Sequence, residues 1–356
     1  MALAITNEDA QKLLSMKECI ASLELAYKEL GEGLAVNRPR TDVHVGTSVS
    51  QQTFRFKTME GVVPGLGVTA LRVNSDIVSW PVIGGRQRQI KVMAAPGQTQ
   101  CAFIILFKND TGEPLAIIQD SYIQRMRVGA ANGLAVKYLA REDVQTVGLI
   151  GSGWQAGAQL MAFAAVRNIT SVKVHSQTPQ HRNQFAREMG QVLGIEVMPV
   201  ESGEETMCGA DIVAAATNSM VPVLFKEMLS PGVHVSAIKH FEVDQGAFHR
   251  SDVIVVNTKA GKGPDYASTN ALVEEIPYMK GNSFDFEGMD GYPELSELVT
   301  GEHSGRNSSK EITFFMNNVG IGIQFAAAAH TVYQRAVECG IGREIPSEIF
   351  LQTWHS

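Results

Sequence analysis

The sequence predicts an α/β protein of two domains, and two patterns along the chain lead to that prediction. From Thr146 onwards, short apolar segments alternate with helical ones, which is typical of a parallel sheet with crossover helices. Before Asp120, segments rich in branched and aromatic residues are separated by glycine and proline, which predicts a mostly antiparallel sheet in a smaller α+β domain. The length of 356 residues suits two domains that share a cleft.

The first third of the chain predicts one amphipathic helix, followed by the strands of the antiparallel sheet. Thr6 or Asn7 can cap the helix, and apolar residues then recur with the helical period until it ends near Gly31. The segment from Lys108 to Gly112 has the composition of a hairpin connection. The strands are predicted at residues 53–57, 68–73, 101–107 and 115–118.

The remainder of the chain predicts the alternating pattern of helices and parallel strands. Residues 259–293 are rich in Gly, Asn, Asp and Pro, which predicts a long loop. Helices are predicted over residues 121–140, from Trp154, from Pro179, near Glu204 and over residues 320–339. Parallel strands are predicted at residues 147–151, 172–175, 196–200, 212–216, 233–238 and 253–256.

Composition excludes several classes of protein. A chain that is 44% hydrophobic is not disordered, and a net charge of −7 without a basic block argues against binding to nucleic acid or to an anionic membrane. The four cysteines lie far apart, so neither a disulfide framework nor a zinc or other metal site is expected. No apolar run is long enough to span a membrane, and the first residues lack an export signal, so we expect a cytoplasmic protein.

The strongest local motif is Gly-x-Gly-x-x-Ala at residues 151–156, where an apolar strand leads into a helix. Gly151 permits the tight turn, Gly153 lets the backbone approach a pyrophosphate, and Ala156 keeps helix and strand close. This context predicts a Rossmann fold that binds NAD or NADP, and a tight turn without a ligand is the alternative. The predicted cofactor-binding residues here are Gly151, Ser152, Gly153, Trp154, Gln155 and Ala156.

Two further strand ends extend the predicted cofactor site. After the second strand no carboxylate is present to bind a ribose 2′-hydroxyl, and Ser176, Thr178 and Arg182 are candidate ligands of a 2′-phosphate. This favours NADPH over NADH, although the same residues are also explained as a cap of the next helix. Further on, Thr217, Asn218 and Ser219 are candidate contacts on the nicotinamide side, or residues of a simple turn.

Cationic residues in the first domain occupy unusual places. Arg72 interrupts an apolar strand, Lys57 alternates with phenylalanines, Arg40 follows a proline in a predicted turn, and Arg127 begins a run of small residues. A charge inside an apolar strand must face solvent, a partner or a ligand. These side chains therefore suit the binding of a substrate carboxylate, and solvation of an edge strand is the alternative.

Taken in order, these segments resemble the ornithine cyclodeaminase/mu-crystallin family. The resemblance extends from Ala10 to Arg343. It rests on Pro39-Arg40-Thr41, the strand with Arg72, the run from Arg127 to Ala131, the loop from Gly148 to Ala156, Gly232 to Ser236, Gly305-Arg306, Ile312 to Phe315 and Val319-Gly320.

The resemblance implies a division of labour between two domains. Residues 1–126 with 318–356 would bind substrate and form a homodimer, and residues 127–317 would be the Rossmann domain that holds NAD or NADP. Members transfer a hydride between nicotinamide and the α-carbon of an amino or imino acid. By resemblance, Arg40 and Arg127 match the family's arginines that hold the substrate carboxylate.

Two departures from the family pattern affect the expected chemistry. Arg72 stands where the family usually has a lysine, and arginine can orient and polarise a substrate but is a poor general base. The family's Gly-x-Asp is replaced by the segment from Ile238 to Glu242. Lys239 or His240 could take over proton transfer, or both could be simple turn residues.

The sequence therefore predicts an NAD(P)H-dependent oxidoreductase that acts on an imino or amino acid. Arg72, Lys239 and His240 are the predicted catalytic residues, and Arg40, Lys57 and Arg127 the predicted substrate-binding residues. Two alternatives stay open. One is a redox-neutral, NAD-dependent cyclodeaminase or ammonia-lyase, and the other is an NADPH-binding protein of the mu-crystallin type with little catalysis.

Overall fold

The computed structural model describes residues 1–83, 86–87, 89–260, 262–271 and 288–352. Within these residues the chain forms two large sheets and one short hairpin. The strands are β1 (Ala2–Ile5), β2 (Val36–Gly46), β3 (Gln52–Val63), β4 (Val68–Ser79), β5 (Val82–Ile83), β6 (Arg86–Gln87), β7 (Ile90–Val92), β8 (Cys101–Lys108), β9 (Pro114–Gln119), β10 (Thr146–Ile150), β11 (Ser171–His175), β12 (Glu196–Pro199), β13 (Ile212–Ala215), β14 (His234–Ala237), β15 (Val253–Val256), β16 (Lys262–Ala267), β17 (Thr313–Met316) and β18 (Arg343–Ile345).

The helices of the described residues lie mostly where the periodicity places them. None of them is both long enough and apolar enough to cross a membrane. They are α1 (Asn7–Leu13), α2 (Met16–Gly31), α3 (Asp120–Leu139), α4 (Trp154–Val166), α5 (Pro179–Leu193), α6 (Gly203–Met207), α7 (Gln245–Arg250), α8 (Leu295–Thr300) and α9 (Gly322–Cys339).

The N-terminal segment forms two helices, so the prediction of a single helix is wrong. Thr6 caps α1, as the sequence predicts, but a second capping box interrupts the helical period at Ser15. The Ser15 hydroxyl accepts a hydrogen bond from the Glu18 N–H, and the Glu18 carboxylate accepts one from the Ser15 N–H. Reciprocal capping satisfies free N–H groups at a helix start, and here it favours a new helix over continuation of the first.

The second sheet has the strand order β12-β11-β10-β13-β14-β17-β15, and all of its strands are parallel. This confirms the predicted Rossmann-type α/β architecture. The strand order reverses beside β10, and in open α/β sheets a ligand binds at the carboxyl ends of the strands where the order reverses. Gly151 after β10 and Thr217 after β13 lie at this position.

The first sheet has the order β16-β2-β3-β4-β8-β9-β1-β18, with β7 also paired to β4. It confirms the predicted, mostly antiparallel sheet, including the hairpin between β8 and β9. Arg40 lies inside β2 and not in a turn, because β2 pairs with β3 on one side and with β16 on the other.

The segment predicted as a long loop, residues 259–293, is partly a strand. β16 runs parallel to β2 and places Asp265 opposite Asp42. Residues 261 and 272–287 of this segment lie outside the described residues. β16 joins the first sheet, although its residues lie within the range predicted for the Rossmann domain, 127–317. The predicted boundary between residues 126 and 127 falls inside α3, which is an unbroken helix.

Helix α9 packs closely on the first sheet and on α2. Ala326, Ala327, Ala328 and Ala329 are fully buried, which confirms the close packing that the alanine-rich sequence predicts. At its start the helix touches the β3 backbone so closely that a Cβ on Gly322 would overlap the carbonyl group of Glu60. This contact brings the first turn of α9 over the centre of the sheet.

We predict that Gly322→Ala destabilises the protein by about 1–3 kcal/mol, because the added methyl group forces the helix away from β3. Thermal unfolding at a fixed protein concentration measures the effect. Gly203→Ala is the matched control, since a Cβ there would lie 3.5 Å from Ile150, an ordinary contact distance. Equal melting temperatures of the two variants would contradict the prediction.

Candidate active site

All six residues predicted to bind or activate substrate line one cavity of about 330 Å³. The cavity lies over β2, β3 and β4 of the first sheet and extends to the residues that follow β14 in the second sheet. Its cationic side chains therefore face the carboxyl edge of the Rossmann sheet. The six residues are Arg40, Lys57, Arg72, Arg127, Lys239 and His240.

The register of the first sheet explains why charges gather in the cavity. Side chains alternate between the two faces of a strand, so every second residue faces the same way. On β2, β3 and β4 the charged residues share this spacing. The pairing aligns them in two rows across the three strands, Asp42 with Lys57 and Asn74, and His44 with Arg55 and Asp76.

Arg72 is buried and firmly held. Its Nε and Nη2 donate to Asp120 Oδ2 at 2.9 and 2.6 Å, and Nη2 also donates to Asn74 Oδ1 at 2.9 Å. The guanidinium carbon lies 5.1 Å from the centre of the Phe325 ring. A guanidinium with these partners can orient and polarise a substrate, which agrees with the role expected of arginine at this place.

Arg127 is also buried but has fewer partners. Its Nη1 donates to Gln324 Oε1 at 3.0 Å, its guanidinium lies 4.8 Å from the centre of the Phe325 ring, and its Nε has no hydrogen-bond partner among the described residues. A Cβ on Gly320 would overlap the guanidinium, so glycine at this position leaves room for the Arg127 side chain as it lies in the structure. Burial, and then the charge of Arg72, lower the pKa of Arg127 to about 9, which leaves it protonated at neutral pH.

Arg40 forms an ion pair with its neighbour on the same face of β2. Its Nε donates to Asp42 Oδ1 at 2.6 Å and its Nη2 to Asp42 Oδ2. Asp42 also belongs to a group with His44 and Asp265 whose ligand atoms lie within 4.8 Å of one another. Sequence spacing does not reveal this group, because Asp265 comes from the distant β16. The Arg40 guanidinium beside Asp42 disfavours a metal cation there.

Lys57 and three residues that sequence reasoning missed form a cluster around one buried carboxylate, which we call the Asp76 cluster (Arg55, Lys57, Asp76 and Lys91). Arg55 Nε lies 3.1 Å from Asp76 Oδ1, and Lys57 Nζ and Lys91 Nζ lie 3.4 and 3.5 Å from Asp76 Oδ2. Burial, and then the charge of Arg55, lower the pKa of Lys57 well below its ordinary value. In the sequence, the spacing of Arg55 and Lys57 two residues apart on one strand indicates that both charges lie on the same face of the sheet.

Lys239 and His240 line the cavity beside a buried carboxylate that the sequence analysis did not single out. Glu242 is fully buried and accepts hydrogen bonds from the Thr217 N–H and hydroxyl, both at 2.6 Å, and from the Lys239 N–H. Lys239 Nζ donates to the Thr217 carbonyl group at 3.3 Å. Burial lowers the pKa of both Lys239 and His240.

The glycine motif has the shape that a dinucleotide needs. Gly151 adopts a φ of 117°, and a Cβ there would overlap the Ala216 carbonyl group. At Gly153 a Cβ would meet nothing within 4 Å, so open space lies above the backbone where a pyrophosphate would approach. Gly153 is the N-cap of α4 and no side chain caps the helix, which leaves its first N–H groups available to a phosphate.

The other residues of the motif have distinct contacts. Ala156 is fully buried in the core between helix and sheet, which agrees with its predicted packing role. Trp154 is 52% exposed and stacks on the Arg125 guanidinium at 3.9 Å, while Gln155 Nε2 donates to Gln124 Oε1 at 3.0 Å.

The segment after β11 supplies fewer open groups than the sequence predicts. Arg182 Nη1 donates to the Ser176 carbonyl group at 3.1 Å and Nη2 pairs with Glu201. The Ser176 hydroxyl accepts a hydrogen bond from Ser152 at 2.8 Å, and the Thr178 side chain makes no capping bond.

At the nicotinamide-side strand end, two of the three predicted contacts have partners within their own turn. The Thr217 hydroxyl donates to Glu242 and accepts from the Ser219 N–H, while the Ser219 hydroxyl donates to the Val221 carbonyl group. Asn218 lies between them.

Comparison with known proteins agrees with this architecture. The model of the ornithine cyclodeaminase/mu-crystallin family matches residues 82–340. The chain belongs to this family. The Delta(1)-pyrroline-2-carboxylate reductase of Bacillus cereus is 30% identical over 348 residues, which is 96% of this chain and 99% of that protein.

Solved structures extend the comparison to the whole fold. The Delta(1)-pyrroline-2-carboxylate reductase of Thermococcus litoralis, in complex with NADH and L-proline, is 32% identical with a TM-score of 0.77, and the match covers 96% of this chain and all of that one. An archaeal alanine dehydrogenase dimer with bound NAD is 26% identical with a TM-score of 0.74, over 97% of this chain and 99% of that one.

We predict that Gly153→Ala weakens NADH binding at least about tenfold, because the new methyl group occupies the space open to the pyrophosphate. Fluorescence titration with NADH measures the affinity. The variant should keep the melting temperature of the parent protein, whereas Gly151→Ala should lower it, since a side chain there is strained and meets Ala216. Unchanged NADH affinity in Gly153→Ala would contradict the prediction.

Proposed function

We propose that this protein is an NAD(P)H-dependent oxidoreductase that reduces the C=N bond of an imino acid, or oxidises the matching amino acid in reverse. The observation that carries the proposal is one cavity that joins buried guanidinium groups to the carboxyl edge of the Rossmann sheet. Arg72 and Arg127 lie at one side, and Ile238 and Met220, which follow β14 and β13, line the other. Relatives named as reductases of a cyclic imino acid support this class of substrate.

In this mechanism Arg127 binds the substrate carboxylate, because its guanidinium is charged, buried and has an unpaired N–H. Arg72, held by Asp120, orients the substrate and stabilises negative charge. When bound, the reduced nicotinamide supplies the hydride. Lys239 or His240 donates a proton to the amine that forms on reduction, and in the reverse direction the same group accepts that proton before the hydride leaves.

We assign substrate contacts to Arg40 and Lys57, a substrate-binding and dimerisation role to residues 1–126 with 318–356, and cofactor binding to residues 127–317. The archaeal alanine dehydrogenase dimer supports a homodimer.

The choice between NADH and NADPH depends on Glu201 in this proposal. The sequence favours NADPH through Ser176, Thr178 and Arg182. Arg182, however, is paired with the carboxylate of Glu201, which is 86% exposed and would repel a 2′-phosphate nearby. We therefore propose that NADH is used at least as well as NADPH.

We predict that Arg127→Ala raises the KM for the imino acid at least about a hundredfold while the affinity for NADH changes less than about threefold. Arg127→Lys keeps the charge but loses the guanidinium fork, so its KM should lie between those of the parent and Arg127→Ala. NADH oxidation with cyclic imino acids, and with 2-oxo acids plus ammonia, measures these values.

Arg187→Ala, on the exposed face of α5, is the matched control and should keep the parent KM. An equal loss of substrate and cofactor affinity in Arg127→Ala would contradict the assigned role. Turnover of an amino acid without net consumption of cofactor would indicate the redox-neutral lyase instead.

We predict that Glu201→Gln raises the ratio of kcat/KM for NADPH over that for NADH by about three- to tenfold, because it frees Arg182 for a 2′-phosphate. Steady-state kinetics with both cofactors measure the ratio. The control is Glu188→Gln, which removes an exposed carboxylate from α5 and should leave the ratio unchanged. If Glu201→Gln leaves the ratio unchanged, residues other than Glu201 determine the preference between NADH and NADPH.

A further inference from the structure

The cavity carries more positive charge than a substrate with one carboxylate needs. Among the described residues, two carboxylates line it, those of Asp42 and Asp120. Counting also Asp76, Asp265 and Glu242, which pair with lining residues, the described side chains keep a surplus of two positive charges when every lysine and arginine is protonated and every carboxyl group is ionised. The cationic side chains that line the cavity are Arg40, Arg55, Lys57, Arg72, Lys91, Arg127 and Lys239.

This surplus is concentrated in the Asp76 cluster. Three cations share the single carboxylate of Asp76, which is 3% exposed, while Arg55 and Lys57 are themselves buried at 6% and 8% exposure. Burying a charge without a counter-charge is unfavourable. The lowered pKa of Lys57 is a direct consequence, and a bound anion beside it would relieve the repulsion.

The cluster is separate from the guanidinium groups assigned to the first carboxylate. Along β4, Asp76 lies four residues from Arg72, a distance of about 13 Å at the backbone. Lys57 is paired with Asn74, halfway between them, about 7 Å along the strand from either end. Long lysine and arginine side chains can converge from both ends on a substrate with two charged groups a few ångströms apart.

We propose that the substrate is a dicarboxylic imino acid, whose first carboxylate binds Arg127 and whose second binds Lys57 and Lys91 at the Asp76 cluster. This inference rests on the proposed function. A monocarboxylic iminium substrate is a zwitterion without net charge and would leave the positive surplus in place. A dicarboxylic one brings a net negative charge to the cavity, and its second carboxylate accepts charge-assisted hydrogen bonds from the two ammonium groups.

Pairs of 2-oxo acids with ammonia, matched in length, test the proposal through NADH oxidation. In 2-oxoglutarate and oxaloacetate a carboxylate replaces the terminal methyl group of 2-oxopentanoate and 2-oxobutanoate. We expect kcat/KM to be at least about tenfold higher for the dicarboxylate of each pair, the effect of one charge-assisted hydrogen bond. Equal or higher values for the monocarboxylates would overturn the proposal.

Variants of the lysines locate the preference in the cluster. In Lys91→Met and in Lys57→Met, the ratio of kcat/KM values for dicarboxylate over monocarboxylate should fall about tenfold or more. Lys91 is the safer substitution, because its side chain is 44% exposed and Asp76 keeps two partners. Lys108→Met, at the exposed end of β8, is the matched control and should keep the ratio. A ratio unchanged in both cluster variants would overturn the proposal.

Calorimetry with unreactive ligands separates this inference from the proposed function. Glutarate should bind the protein loaded with NADH at least about tenfold more tightly than pentanoate, and Lys91→Met should remove the difference.

If no substrate is reduced but glutarate still binds selectively through Lys91, the second-carboxylate site stands and the proposed reaction is wrong. If imino acids are reduced but glutarate binds no better than pentanoate, the reaction stands and the second-carboxylate site is wrong.

Discussion

The contact of two buried guanidinium groups with the Phe325 ring holds together the three elements that shape the cavity. Arg72 belongs to β4, Arg127 to α3, and Phe325 to the first turn of α9. A buried guanidinium group needs hydrogen-bond acceptors from the protein in place of water. Asp120 on α3 accepts from Arg72, and Gln324 on α9 accepts from Arg127. The positions of both helices over the sheet are therefore tied to the charges that the proposed reaction uses.

The close approach of α9 follows from the same constraint. Gly322 lets the helix start touch the β3 backbone, and Gly320 leaves room for the Arg127 guanidinium. Without these two glycines the aromatic ring and the amide of Gln324 would not reach the arginines. A cluster of like charges costs stability, and groups with shifted pKa values concentrate at functional sites.

The cavity over the first sheet reaches the second sheet at the segment that follows β14. Glu242 binds the turn at Thr217, and Lys239 and His240 then face the cavity from the Rossmann side. This buried carboxylate fixes the edge where a nicotinamide would lie relative to the arginines of the first sheet. Cofactor and substrate sites thus share one small structural unit, which explains why their residues come from distant parts of the chain.

The sequence by itself determined the α/β class, the glycine loop from Gly151 to Ala156 and the family, because hydrophobic periodicity and turn chemistry are local properties. It also pointed to Arg72 and Lys57, since charges inside apolar strands are conspicuous, and to Arg127, which begins a run of small residues. Only the tertiary structure decided that β16 joins the first sheet, that Asp265 lies beside His44, and that Asp76 gathers three cations. Those contacts depend on strand register and on segments far apart in the chain, which no local pattern records.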